Sequence, residues 1–552
     1  MDSFNDSISF SAPAHSGHVV LLNHIKSQWH VSVLLPRLHL LSSAILTYAA
    51  VATLLACAGW LIFILFIRPK LSPHRHLPSP DQGWAMFGLL HEPNINELEH
   101  WIDTIPNDGL IRYFGLWNEE RLFATSPDAV KDLLVKQPYA FVKPHLQFVL
   151  ADNVTSTGLL ILEGDVHRRA RKAFNTAFNA ERVDKSYPVM LNGVMQLVDK
   201  IAEQTAQDTD SKPAGQTSIL RGVSAASVDI FGVWGLSRPF NALAEKPRSI
   251  GKAYIELLKT TKRGQLTLDV AAKIGPELAL KLPLRAVKTM RSIMSLVRQT
   301  AEDVVAEHEH EDASKDDMLQ VLINSNNFSH KELVDEVVHF LAAATETTAG
   351  SIVWGIHLLS RHRDMQSRLR EEIHTHIPSI KCLTNDNISA TLERMPYLNA
   401  VIRETLRFHS MNTILWRQCV SSTATIRSHH IPIGTKVTFS PWALQRDPAH
   451  WGPDARTFNP ERWLLDPISG GADHSYSFLN FGAGPRRCIG ETYAKVQMRC
   501  MFSALIGAFE WAPIDADKGS DVGEEIGDNH ALTLFKILEG WKLRCVKVDE
   551  WL

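Results

Sequence analysis

From Leu40 to Ile67 the chain carries no charged side chain. In hydrocarbon each backbone N–H and C=O must be satisfied internally, so a lone apolar run crosses a bilayer only as a helix, for which about 20 residues suffice. This run is long enough to span with some tilt. A secretory signal has a shorter apolar stretch and a small-residue cleavage site, and it usually lies nearer the terminus. An uncleaved anchor is therefore favoured over a cleaved signal or a buried helix. Arg68, Lys70 and Arg75 follow at once, whereas the preceding residues hold only Lys26 and Arg37 as strong bases. Positive residues favour the cytosolic side. The expectation is a segment 1–39 beyond the membrane, a transmembrane helix 40–67 and a cytosolic body. In a eukaryotic cell the far side would be the endoplasmic reticulum lumen. There the sequon at Asn5 would be open to glycosylation, while those at Asn153, Asn327 and Asn387 would not.

Pro69, Pro73, Pro78 and Pro80 make residues 68–82 a semi-rigid spacer, which leaves 83–552 as the body. The length of 552 residues suggests several domains, but a single large one is favoured here. A hydrophobic fraction of 45% supports a large core, and a charged fraction of 21% excludes a mostly disordered chain. A net charge of −3 gives no basic footprint for nucleic acid. The six cysteines are scattered without the spacing of a disulfide framework, which suits a reducing compartment. Long helical patterns dominate the body. Short strand candidates appear at 110–114, 120–124, 424–431 and 436–439. The acidic stretch Glu307 to Asp317 reads as a solvated helix end and loop.

Three segments carry chemistry. The first, F-G-A-G-P-R-R-C-I-G from Phe481 to Gly490, sets Cys488 in a glycine-proline turn. Gly482, Gly484 and Gly490 permit unusual backbone conformations and close approach of a flat ligand, while Pro485 stiffens the turn. Turned N–H groups can point at the Cys488 sulfur and tune a bound iron. Arg486 offers positive charge to a carboxylate. A surface turn with a stray cysteine would look the same in isolation. The second segment, A-A-A-T-E-T-T, lies within a helix that should start at the Ser329-x-x-Glu332 capping box and run to about Leu359. A carboxylate and hydroxyls amid alanines are costly to bury without partners or a task, although small residues at a helix crossing with a tolerated polar pair would also fit. The third pairs Glu404 with Arg407 on one helix face, with Arg462 of F-N-P-E-R-W available to complete a carboxylate-guanidinium cluster.

The spacing F-x-x-G-x-R-x-C-x-G resembles the haem-ligand loop of the cytochrome P450 family. A-A-A-T-E-T-T resembles that family's oxygen-activation segment, with Ala344 in the usual glycine position. The resemblance implies a mostly α (α+β) cytochrome P450 fold with small sheets, and haem b whose iron is ligated by Cys488. Phe481, Gly484, Arg486 and Gly490 would belong to the same cofactor loop. Glu346 would relay protons, and Thr347 would help activate O2. Glu404, Arg407 and Arg462 would fix the core behind the loop, and Arg417 would partner a haem propionate. The segment G-D-V-H-R-R-A-R-K-A-F resembles the helix that contacts the propionates, with Arg171 in the arginine position and His167 where tryptophan is usual. The other bases of that helix could face an acidic redox protein or simply solvent.

The family likeness further implies a monooxygenase that takes NADPH electrons through a flavoprotein reductase, with cytochrome b5 as a second candidate donor. The substrate would be a lipophilic small molecule, in the style of fungal terpenoid or polyketide-derived secondary metabolism. Leu258 to Ala286 reads equally as a membrane-dipping access lid or a surface helix. Two rivals remain: a haem-thiolate isomerase or dehydratase working without O2, and a non-catalytic membrane haem-binding protein.

Overall fold

The structure is a computed structural model that describes residues 45–81, 93–115, 118–143, 158–206, 216–217, 219–244, 285–310, 316–514, 543–548 and 551. Two compact units divide the chain, Met1–Pro73 and His74–Leu552. The first contains the apolar helix Ile45–Lys70, with mean hydropathy 2.6 and almost all of its apolar window exposed. The helix runs to Lys70 rather than ending at Ile67, and Pro69 sits at the start of its last, tighter turn. Proline is tolerated there because its missing N–H is not needed. Leu40–Ala44, the sequon at Asn5 and most of the candidate lid lie outside the described residues.

The second unit is mostly helical. A five-stranded sheet comprises β1 (Leu110–Gly115), β2 (Glu119–Ala124), β3 (Phe141–Val142), β4 (Leu415–Cys419) and β5 (Lys436–Phe439), in the order β1-β2-β5-β4-β3. Every neighbouring pair is antiparallel except β2 and β5. The 110–114, 120–124 and 436–439 strand expectations therefore hold within a residue or two. Residues 424–431 form a separate short hairpin, Thr425–Ile426 with His429–His430.

Five helices organise the core: α1 (Gly164–Ala177), α2 (Ile219–Leu236), α3 (His330–Arg361), α4 (Pro396–Phe408) and α5 (Glu491–Ala508). α2 is also long and apolar enough to cross a membrane, but most of it is buried against the protein, as expected of a core helix. α3 starts with the expected reciprocal cap, in which Ser329 accepts from Glu332 N–H and Glu332 accepts from Ser329 N–H at 2.7 Å. Its buried residues include Val337, Ile352, Val353, Trp354 and Ile356, which join the main core with residues of α2, α4 and α5. The acidic stretch departs from expectation at its end. Asp317 is buried, caps the helix Met318–Asn324 and bonds His308 Nε2 at 2.9 Å. A carboxylate that satisfies a helix N-terminus and an imidazole need not be solvated.

All six cysteines are free. This agrees with the absence of disulfide spacing in the sequence.

Candidate haem site

The Cys488 turn precedes α5, whose N-cap is Gly490. Cys488 N–H donates to Phe481 O at 2.8 Å, closing the turn on itself. Cys488 as a residue is exposed, yet enough protein surrounds its thiol that desolvation raises the pKa. A backbone hydrogen bond from Gly490 and the charges of Arg171 and Arg487 oppose that rise, while Glu491 adds to it. A thiol of this kind is neutral until a metal displaces its proton. Gly484 has φ +67°, and a Cβ there would lie 2.3 Å from Leu134 O. Its close approach is to a neighbouring backbone, a role distinct from contact with a flat ligand. Gly490 has ordinary φ, and a Cβ there would stand 4.0 Å from the Cys488 sulfur.

Around the turn lies a group of basic side chains with little to neutralise it. Arg486 bonds Leu162 O at 2.9 Å and pairs with Glu163. Arg171 Nη1 donates to Arg487 O at 2.5 Å and Nε to Asn175 at 3.1 Å. Arg417 is buried on β4 and donates to its neighbour's carbonyl, Trp416 O, at 2.7 Å. His167 is buried on α1, with Nδ1 3.1 Å from Tyr139 Oη. Burial, then Arg486, Lys143, Arg171 and Arg168, push its pKa down to about 4. Burial, then Arg417 and Arg486, push Lys143 down to about 7. Burial, then Arg486, push Arg417 down to about 10. Each cation destabilises its neighbours, and Glu163 is the carboxylate that answers them among the described residues. A dicarboxylic acid placed here would relieve that repulsion. The donor set therefore fits the two propionates of a haem beside a cysteine ligand.

α3 supplies an open face. Most of the helix is buried, yet Ala343 and Thr347, one turn apart, are exposed, with Ala344 and Glu346 partly so. Thr347 Oγ1 donates to Ala343 O at 2.9 Å, Thr345 Oγ1 to Leu341 O at 2.7 Å and Ser351 Oγ to Thr347 O at 2.9 Å. These bonds keep the hydroxyls satisfied. The helix nevertheless continues as α through the segment.

Behind the turn Glu404 is fully buried. Arg407 bonds it twice, at 2.7 and 2.9 Å, and Arg462 Nε reaches it at 3.3 Å. Asn459 N–H and Trp463 Nε1 also donate to it, each at 2.9 Å. Arg407 spends its remaining donors on Gln445 O, Ala455 O and Thr457 O. The structure thus brings the three predicted core residues together. It also draws in Lys143, Tyr139 and Glu163, which carry no local motif. The other bases of α1 are partly answered nearby, Arg168 by Asp165 and Arg169 by Glu332 at 3.2 Å.

A family model described as cytochrome P450 matches residues 78–529. A cytochrome P450 monooxygenase of Aspergillus fumigatus, sphH, is 33% identical over 92% of this chain and 96% of its own length. Another, FUM15 of Gibberella moniliformis, is 31% identical over 80% and 83%. Among solved structures, a cytochrome P450DA haem domain superposes with TM-score 0.69, covering 86% of this chain and 98% of that one at 19% identity. The chain belongs to the cytochrome P450 family, monooxygenases that carry haem b on a cysteine thiolate and take electrons from a redox partner.

Proposed function

We propose that Cys488 is the axial thiolate of this monooxygenase and that Arg171, Arg417, Arg486 and His167 hold the haem propionates. The observation that carries this reading is the basic cluster answered, among the described residues, by the Glu163 carboxylate and set beside an exposed cysteine on a turn closed by Phe481. Gly484 and Gly490 shape that turn, and Glu404, Arg407 and Arg462 hold the core behind it. When bound, the haem supplies O2 activation, and thiolate ligation favours O–O cleavage.

The chain's own part is to place protons. Thr347 sits on the open face of α3, its hydrogen given to Ala343 O and its oxygen still able to accept from water. To donate toward the open side it must release Ala343 O, at a cost of about 1 kcal/mol. Glu346, on the adjoining position, is the group that resupplies protons. Small side chains at Ala343 and Ala344 leave room for O2 and substrate.

The substrate in this reading is a lipophilic molecule of fungal secondary metabolism, a proposal supported by the fungal relatives. Electrons come from an NADPH-dependent flavoprotein reductase, with cytochrome b5 as a second donor. The helix Ile45–Lys70 supports anchoring by segment 40–67, with the spacer 68–82 and the catalytic domain 83–552 cytosolic, at the endoplasmic reticulum.

The test is the ferrous carbon-monoxide difference spectrum of the full chain. The wild type should show the thiolate Soret band, and Cys488→Ser should lose it while α3 and the core remain folded by circular dichroism. A thiolate band in the variant would overturn the assignment. With the reductase and NADPH, Thr347→Ala should divert electrons to hydrogen peroxide, and tight coupling in that variant would contradict the proton-placing role.

A further inference from the structure

Glu336, His339, Ala343 and Thr347 follow one another along α3 at spacings of three and four, so they share one face. The Ala343–Thr347 end of this face is open. The other end is closed by Gly158 and Leu159. Leu159 N–H donates to Glu336 Oε2 at 3.0 Å, and a Cβ on Gly158 would come within 2.4 Å of His339 Cγ. Only glycine therefore lets that backbone lie against the ring.

His339 is 6% exposed, and its Nδ1 is enclosed without a hydrogen-bond partner among the described residues. None of the described hydrogen bonds reaches Nε2 either, and the edge-on contact with Phe340, centroids 5.8 Å apart, satisfies neither nitrogen. Nδ1 is sealed inside the protein, whereas Nε2 is not among the enclosed atoms and is the nitrogen that an arriving partner can reach.

The electrical character of that partner follows from its surroundings. Burial, with a smaller contribution from Lys143, pushes His339 down to about 4, so the imidazole is neutral. Burial raises Glu336 to about 8, with Asp335 and Glu332 adding to the rise. The Glu336 carboxyl is therefore protonated at neutral pH. The two polar groups of this end, the His339 imidazole and the Glu336 carboxyl, are thus uncharged, and the nearby Lys143 already donates to Leu160 O.

We propose that His339 is a specificity-determining residue whose Nε2 hydrogen-bonds a hydroxyl or carbonyl oxygen of a neutral, otherwise apolar substrate. The substrate's reacting carbon lies toward Thr347. Eight residues of α-helix span about 12 Å, so the recognised oxygen and the oxidised carbon sit at opposite ends of a skeleton of comparable length. The substrate thus arrives already oxygenated, by an earlier oxidation or by the assembly of its skeleton. This inference rests on the haem position proposed above.

The test uses haem-loaded full chain and two probe series of graded length, 1-alkylimidazoles and the matching ω-(imidazol-1-yl)alkanols, titrated by the Soret shift of nitrogen ligation. In the wild type one chain length of the alcohol series should bind about tenfold tighter than its alkyl counterpart, the size expected when a buried unpaired group gains its bond. His339→Leu should abolish that preference, so that the ratio of the two affinities falls to about one at every chain length. His339→Gln, which keeps a donor, should retain part of it. Equal affinities for the two series in the wild type, or an unaltered preference in His339→Leu, overturn the inference alone. A folded, haem-loaded protein that gives no nitrogen-ligand shift with either series overturns the haem placement, and the inference with it.

Discussion

Replacing Arg407 by methionine removes the guanidinium that bonds Glu404 at 2.7 and 2.9 Å, with both side chains fully buried. Glu404 would keep Arg462 at 3.3 Å, Asn459 N–H and Trp463 Nε1, but it would lose its two shortest charged bonds. Three carbonyls, Gln445 O, Ala455 O and Thr457 O, would lose donors at the same time. Breaking one side of a buried ion pair costs about 3–5 kcal/mol, and the orphaned carbonyls push this variant toward the upper end. An unfolding entropy of about 2.1 cal/mol/K per residue makes 1 kcal/mol equivalent to about one degree in a body of this size. Arg407→Met should therefore lower Tm by about 5 °C, followed by loss of the thiolate carbon-monoxide band at a fixed scan rate. Glu404→Leu leaves Arg407 its three carbonyl acceptors but orphans Asn459 N–H and Trp463 Nε1, so it should lower Tm by a similar amount. The double variant should be clearly less destabilised than the two singles added together, since neither leaves the other's charge behind. Additive losses, or an unchanged Tm in Arg407→Met, would refute the claim that this cluster is held by mutual charge compensation.

Two further outcomes follow from particular contacts. Gly484→Ala places a Cβ 2.3 Å from Leu134 O at φ +67°, so the turn must shift, and haem incorporation measured by the Soret-to-protein absorbance ratio should fall several-fold. Glu336→Gln should change the pH dependence of stability. The wild-type carboxyl is raised to about 8 when folded, so its contribution is fully present below its unfolded pKa and is lost as pH rises through 8. Glutamine can still accept from Leu159 N–H, so the Tm of the variant relative to wild type should climb between about pH 4.5 and 8 and then level off. A difference independent of pH would show that folding leaves the Glu336 pKa at its unfolded value, so that the carboxyl is ionised at neutral pH.

Much of the candidate site is proposed from patterns that are local in sequence. The cysteine, its glycines and Arg486 occupy one turn, Glu346 and Thr347 occupy one helical turn, and the capping box at Ser329 and Glu332 sets the start of α3 where the structure has it. Glu404 and Arg407 were visible as an i, i+3 pair, although such spacing on a solvated helix would be worth only ~0.2–0.5 kcal/mol. Its importance comes from complete burial, which spacing does not report. Lys143, Tyr139, Glu163 and His339 were not legible. Lys143 follows a short strand, Glu163 precedes a helix and His339 sits in an apolar run, and none of these settings is unusual.

What makes those residues notable is created by the fold. Lys143 becomes a poor base because Arg417, from a strand far along the chain, and Arg486, from the cysteine turn, are brought to it. His339 becomes unpaired because Gly158 closes over its ring. In each case an unfavourable interaction is retained, and one unmade bond or one repelled charge costs as much as a typical destabilising substitution. At these two places a ligand would relieve it. The basic cluster fits the carboxylates of the cofactor, and the unpaired imidazole fits an uncharged oxygen. The two demands are chemically different, and they separate the residues proposed to hold the haem from the residue proposed to select what the enzyme oxidises.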